Sequence, residues 1–126
     1  MTDATAHYLA GLKLFGQEKH DEAIAEYDKA LTEKPEWVDV MLAKATCLSG
    51  LGKHQEAVET VERVIELTPD DAMAFTSLSI FLMRLGKIPE AEAAQSKARM
   101  ISWKEELKQN PDAPPPSAPP GMNVVQ

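Results

Sequence analysis

The chain has 126 residues, 44% of them hydrophobic, enough for one domain with a core of its own. Its 20 acidic and 13 basic residues leave a formal charge of −7, which argues against phosphate backbones and anionic lipid surfaces, so neither nucleic acid nor membrane is an expected partner. No apolar run approaches the ~18–20 residues needed to span a bilayer, the first residues lack the basic-then-apolar pattern of a secretory leader, and the single Cys47 cannot close an internal disulfide; a reducing, cytoplasmic setting is expected.

In chain order, Leu, Ala, Glu and Lys dominate and β-branched residues never cluster into alternating runs, which predicts helices throughout. The first spans residues 4–17, with Asp3 placed to cap it, and the second spans 21–34, stopped by Pro35. Together they form a unit, Ala4–Trp37, and the pattern then recurs. The second unit, Val38–Asp71, carries Gly52 in its inner turn and ends near Pro69, with Asp71 placed to cap the helix that follows. The third, Ala72–Glu105, carries Gly86 in its turn but has Trp103 where the other units have proline. A shift of 34 superimposes Leu14, Leu48 and Leu82; Lys19, Lys53 and Lys87; Glu22, Glu56 and Glu90; and Ala23, Ala57 and Ala91. The small residues Gly11, Ala45 and Ser79 fall on first helices and the alanine column on second helices, where packed helices approach to ~8–10 Å. Leu14, Tyr27, Leu31, Leu48, Val61 and Ile65 fill the space around them. Glu18 takes the turn position that glycine holds in the other two units.

The last helix differs in kind. Glu92, Gln95 and Arg99 stand where Ile24, Tyr27 and Leu31 stand in the first unit and Val58, Val61 and Ile65 in the second, a polar stripe that water can cover; the array is expected to stop at three units. Without its closing proline this helix is predicted to run on to Lys108 or Gln109, carrying an apolar stripe of Met100, Trp103 and Leu107. Six prolines between Pro111 and Gly121 then forbid helix and sheet, so the domain is read as residues 1–110 and residues 111–126 as a flexible tail, from which Met122, Val124 and Val125 could fold back.

A 34-residue period with two helices per unit resembles the tetratricopeptide repeat family, on the columns just given. The resemblance implies an all-α, right-handed superhelical solenoid of three helix-turn-helix repeats with an extended last helix, the first helices lining a concave face. The family's groove positions fall here on Tyr8, Leu12 and Phe15; on Leu42 and Thr46; and on Met73, Thr76, Ser77, Ile80, Met83 and Arg84. Thr5, Leu9, Gly16, Asp39, Ala43, Ser49 and Gly50 take the remaining ones. This is an apolar face for its position, the mark of an interaction surface, and methionine adapts to varied partners. Members that hold the C-terminal carboxylate of Hsp70 or Hsp90 do so with lysine, asparagine and arginine where this chain has Tyr8, Leu12, Ala43, Met73 and Ser77, so that carboxylate clamp is not expected.

Other candidates are weaker. His20 and His54 occupy equivalent turn positions, a repeat apart and too distant to share a metal; His7 stands alone at a packing position. Cys47 sits mid-helix with no histidine near it in the pattern, which reads as a small buried hydrophobe rather than a nucleophile. Phosphate loops, metal clusters and nucleophile elbows do not appear, so no cofactor, metal or catalysis is expected. The expected function is a non-catalytic adaptor or scaffold that binds a peptide segment of another protein in the concave groove. The alternative is a homo-oligomeric structural protein associating through the extended last helix and tail, as a homodimer through Met100, Trp103 and Leu107.

Overall fold

The computed structural model describes residues 3–116, and within them the chain forms six helices and no strand. They are α1 (Asp3–Gly16), α2 (His20–Glu33), α3 (Val38–Gly50), α4 (His54–Leu67), α5 (Ala72–Arg84) and α6 (Ile88–Gln109). The periodicity predicted this order, as it predicted the run-on of α6. Residues 117–126, with Met122, Val124 and Val125, lie outside the described residues.

Each helix pair turns by the same device. The backbone N–H of Lys19 donates to the carbonyl of Leu14 at 2.9 Å, that of Lys53 to Leu48 at 2.9 Å, and that of Lys87 to Leu82 at 3.0 Å. This closes the helix end with one residue in the left-handed region between donor and acceptor. Gly52 (φ 83°) and Gly86 (φ 79°) adopt it freely, whereas in the first unit Glu18 adopts it at φ 61°, against the preference of a side chain.

The second helices also end alike. Lys34, Thr68 and Asn110 each precede a proline, each has left helical geometry, and each still donates its N–H into the last turn. The helix that lost its proline at position 103 therefore runs to the next one, Pro111. A turn then follows in all three places: Trp37 N–H to Lys34 O, Asp71 N–H to Thr68 O, and Ala113 N–H to Asn110 O. After α6 the chain makes the turn that elsewhere opens a new repeat, but prolines at 114, 115 and 116 prevent a helix. The segment instead returns along α6, where Ala113 is buried and its carbonyl accepts the indole N–H of Trp103 at 3.1 Å. Asp71 caps α5 through Met73 N–H at 3.0 Å and Ala74 N–H at 3.4 Å. Asp3, expected just before α1, is instead its first residue, where its charge still suits the positive end of the helix.

The repeated small residues sit where helices meet. Ala23, Ala45, Ala57 and Ala91 are fully buried, and a Cβ placed on Gly11 would run into the ring of Tyr27. Val61, Val64, Ala74 and Phe81 form the core of the second and third units; Tyr27, Ala30, Val40 and Cys47 form that of the first. Neighbouring first helices touch one another, α1 with α3 and α3 with α5, while the second helices do not. Packing that is closer on one side bends the array toward the first helices.

Candidate functional site

The residues expected in a groove lie on α1, α3 and α5, whose shared side forms one face, although Ser49 among them is buried. Leu12, Phe15, Thr46, Met73, Thr76, Ile80, Met83 and Arg84 are exposed; Tyr8, Leu42 and Ser77 are half-buried. Met73, at 68%, and Leu9, at 50%, are the barest large apolar side chains on it. Leu42 packs against the core of units two and three, and the Tyr8 ring lies tilted against Trp37 with centroids 5.0 Å apart, so these two are less available to a ligand. The hydroxyls of Thr46 and Thr76 donate to the carbonyls of Leu42 and Ala72, each at 3.0 Å, in their own helices. They are spent as donors and remain open as acceptors.

Between α1 and α3 the face sinks into an apolar pocket of about 90 Å³ lined by Leu12, Phe15, Tyr27, Ala43 and Thr46. Tyr27 was expected only as core. Its ring passes through the gap left by Gly11, and its hydroxyl is buried without a hydrogen-bond partner among the described residues. Burial pushes that phenol up to about 12, with Cys47 and Tyr8 adding to the shift. The signal in the sequence was the pairing of a glycine on one helix with a tyrosine on its partner. A wider cleft of about 640 Å³ opens at the loop joining the first two units, but three of its five lining residues, Lys34, Glu36 and Arg63, are charged.

Polar side chains on and below this face are bonded to one another. His7, expected alone, pairs through Nδ1 with Glu26 Oε1 at 2.8 Å, and that hydrogen bond, ahead of the one from Lys29, holds the Glu26 carboxyl below its usual range. Ser49 is almost fully buried and joins His54 Nδ1 at 3.0 Å. Arg84 donates from Nη1 to the same Ser49 oxygen at 2.6 Å, crossing from the third unit to the second. Cys47 is fully buried, and desolvation pushes its thiol up to about 11, the opposite of what a nucleophile needs. His20, at the matching turn of the first unit, has its Nδ1 buried with no partner among the described residues, because Phe15 stands where Ser49 would serve it; the two rings lie 5.8 Å apart. Among the described residues no helix is long and apolar enough to cross a membrane, and no three His, Cys, Asp or Glu side chains gather as metal ligands would.

Against known proteins, a model of the tetratricopeptide repeat matches residues 14–79. The chain is 30% identical over 90 residues to the Hsp70-Hsp90 organizing protein of Triticum aestivum, which uses 69% of this chain and 16% of that protein. It is 28% identical over 109 residues to DnaJ homolog subfamily C member 3 of Bos taurus, with 86% of this chain and 20% of that protein covered. The chain thus spans a fifth or less of these relatives' length. Among solved structures, a crystal structure of MamA superimposes with a TM-score of 0.78 at 23% identity, over 82% of this chain and 60% of that one. The Sgt2 domain of Aspergillus fumigatus gives 0.75 at 17% identity, over 98% and 92%. The first such domain of Spaghetti (RPAP3), bound to the HSP90 peptide SRMEEVD, gives 0.73 at 22% identity, over 88% and 82%. At these identities the fold is what is shared.

Proposed function

The chain belongs to the tetratricopeptide repeat family, and from that premise we propose that it is a non-catalytic adaptor that binds a peptide segment of a partner protein along the first-helix face. One observation carries the reading: a row of bare apolar side chains on α1 and α5, Leu9, Leu12, Phe15, Met73, Ile80 and Met83, flanks a small apolar pocket. A solitary exposed leucine needs no explanation, but six such side chains along one curved face are costly to leave in water unless something covers them. The pocket between Leu12, Phe15, Tyr27, Ala43 and Thr46 is of the size of one branched aliphatic side chain, which would serve as the anchor residue of the peptide. That a similar domain binds an HSP90 peptide supports a peptide as the kind of partner. The cations and amides of the family's terminal-carboxylate clamp are absent at Tyr8, Leu12, Ala43, Met73 and Ser77, so the proposal does not rest on that clamp.

Leu12→Arg tests the proposal better than a change at Leu42, because Leu12 is exposed and Leu42 supports the core. In a selection from a random peptide library, the variant should lose at least about tenfold in affinity for peptides retained by the parent, through loss of the anchor contact, with an unchanged circular dichroism melt. Retention at parental affinity would place binding elsewhere.

Self-association through Met100, Trp103 and Leu107 has less support. Trp103 and Leu107 are half-buried, the indole is engaged by Ala113, and Met100 alone of the three is exposed.

A further inference from the structure

The position shared by Phe15, Ser49 and Met83 and the one shared by Gly16, Gly50 and Arg84 differ between units in a way that builds one oriented cation. At the junction of units one and two the residues are apolar or absent: Phe15 lies against His20, and the His20 ring fills the space beside Gly50. At the junction of units two and three they are polar. Ser49 is 4% exposed, and a buried hydroxyl is costly unless it is bonded. Its oxygen accepts from Arg84 Nη1, which leaves its one proton free to bond His54 Nδ1 in the tautomer that carries the imidazole proton on Nε2. The chain His54, Ser49, Arg84 holds a guanidinium that would otherwise sample many rotamers.

That tether uses one of the five N–H donors of the guanidinium, and among the described residues no carboxylate lies within ion-pair distance of Arg84. Ile80, one helical turn earlier on α5, is exposed on the same side, with Met83 next to it. The third unit is also the one basic part of an acidic chain: residues 72–105 hold five bases and three acids, against seven acids with four bases in residues 4–37 and seven with three in residues 38–71. A planar fork with free donors beside apolar side chains matches a carboxylate carried next to an aliphatic or aromatic residue.

The geometry points to Arg84 as the specificity-determining residue of the groove, reading a carboxylate on the bound peptide, with Ser49 and His54 as its positioning residues. This rests on the first-helix face being the peptide site. None of the three stands where the family's terminal-carboxylate clamp would be sought in this chain.

The test uses the full chain and two random peptide libraries, one with amidated and one with free C-termini, each with the twenty residues equally represented. Wild type should retain peptides enriched in Asp or Glu at one fixed distance from an apolar residue, and changing that acid to its amide should weaken binding about tenfold, the weight of one charge-assisted pair. Enrichment in the amidated library assigns the carboxylate to a side chain; enrichment confined to the free library assigns it to the C-terminus. Arg84→Gln should remove the enrichment, Arg84→Lys should keep only part of it, and Ser49→Ala should reduce it while shifting the nitrogen-15 signature of His54 away from the Nε2–H tautomer. Equal acid content from wild type and Arg84→Gln overturns this inference and leaves the groove standing. A wild type that retains no peptide from either library overturns both.

Discussion

At the scale of single residues, the fold tolerates a few groups in places that do not suit them. Glu18 holds a left-handed turn that its counterparts fill with glycine, and a side chain there costs about 1–2 kcal/mol. Glu18→Gly should therefore raise stability by about 1 kcal/mol, after the extra freedom glycine gains on unfolding is subtracted. Urea denaturation measures this; an unchanged or lower midpoint would show that the turn is relaxed. Cys47 and Tyr27 supply a second expectation. Both hold their protons more tightly folded than unfolded, from 9.0 to about 11 for the thiol and from 10.0 to about 12 for the phenol, with desolvation the first cause in each. Stability from these groups is full below pH 9 and is lost as the pH rises through about 11 and then about 12, because the unfolded chain releases protons that the folded chain keeps. Denaturation midpoints taken from pH 8 upward should fall, and Cys47→Ala should delay the onset of that fall. A profile flat to pH 11, or one that Cys47→Ala leaves unaltered, would contradict the burial argument.

At the scale of elements, much was legible because local rules act alone. Residues before proline leave the helix, so Lys34, Thr68 and Asn110 mark three helix ends, and the columns of leucine and lysine at a period of 34 are the two ends of the turn bond in each unit. The small-residue columns likewise announced the helix contacts. What was not legible depends on partners far apart in the chain. Nothing local says that the indole of Trp103 will take the carbonyl of Ala113, or that Tyr27 will emerge through the gap at Gly11 to floor a pocket. The Ser49, His54 and Arg84 link escaped for the same reason, since it joins two units whose residues look unremarkable separately. The latch at Trp103 can be probed without removing the ring. Trp103→Phe keeps the contact surface and deletes the donor, at a cost of about 1 kcal/mol to the return of the chain on α6. Backbone exchange at Ala113, whose N–H donates to Asn110, should then quicken about fivefold with the overall melt little changed. Equal protection in both proteins would mean that the prolines alone hold the segment.

At the scale of the whole molecule, curvature and chemistry come from the same asymmetry. First helices meet along one side and second helices stay apart, so the array bends toward the side on which α1 and α5 carry bare apolar side chains. Gln95 is exposed where the inner units carry buried Tyr27 and Val61, with Glu92 and Arg99 half-buried beside it, a stripe that water can cover. The methionines report directly on whether that face is the binding surface, because they are spread around the molecule: Met73 and Met83 are exposed on α5, Met41 is buried in the core and Met100 is exposed on α6. The deciding measurement is a titration of the methyl-labelled full chain with a library-selected peptide, followed by NMR. The Met73 and Met83 methyl signals should move together to saturation while those of Met41 and Met100 stay in place. Movement of Met100 with Met73 and Met83 unmoved would contradict this and put the partner on the last helix.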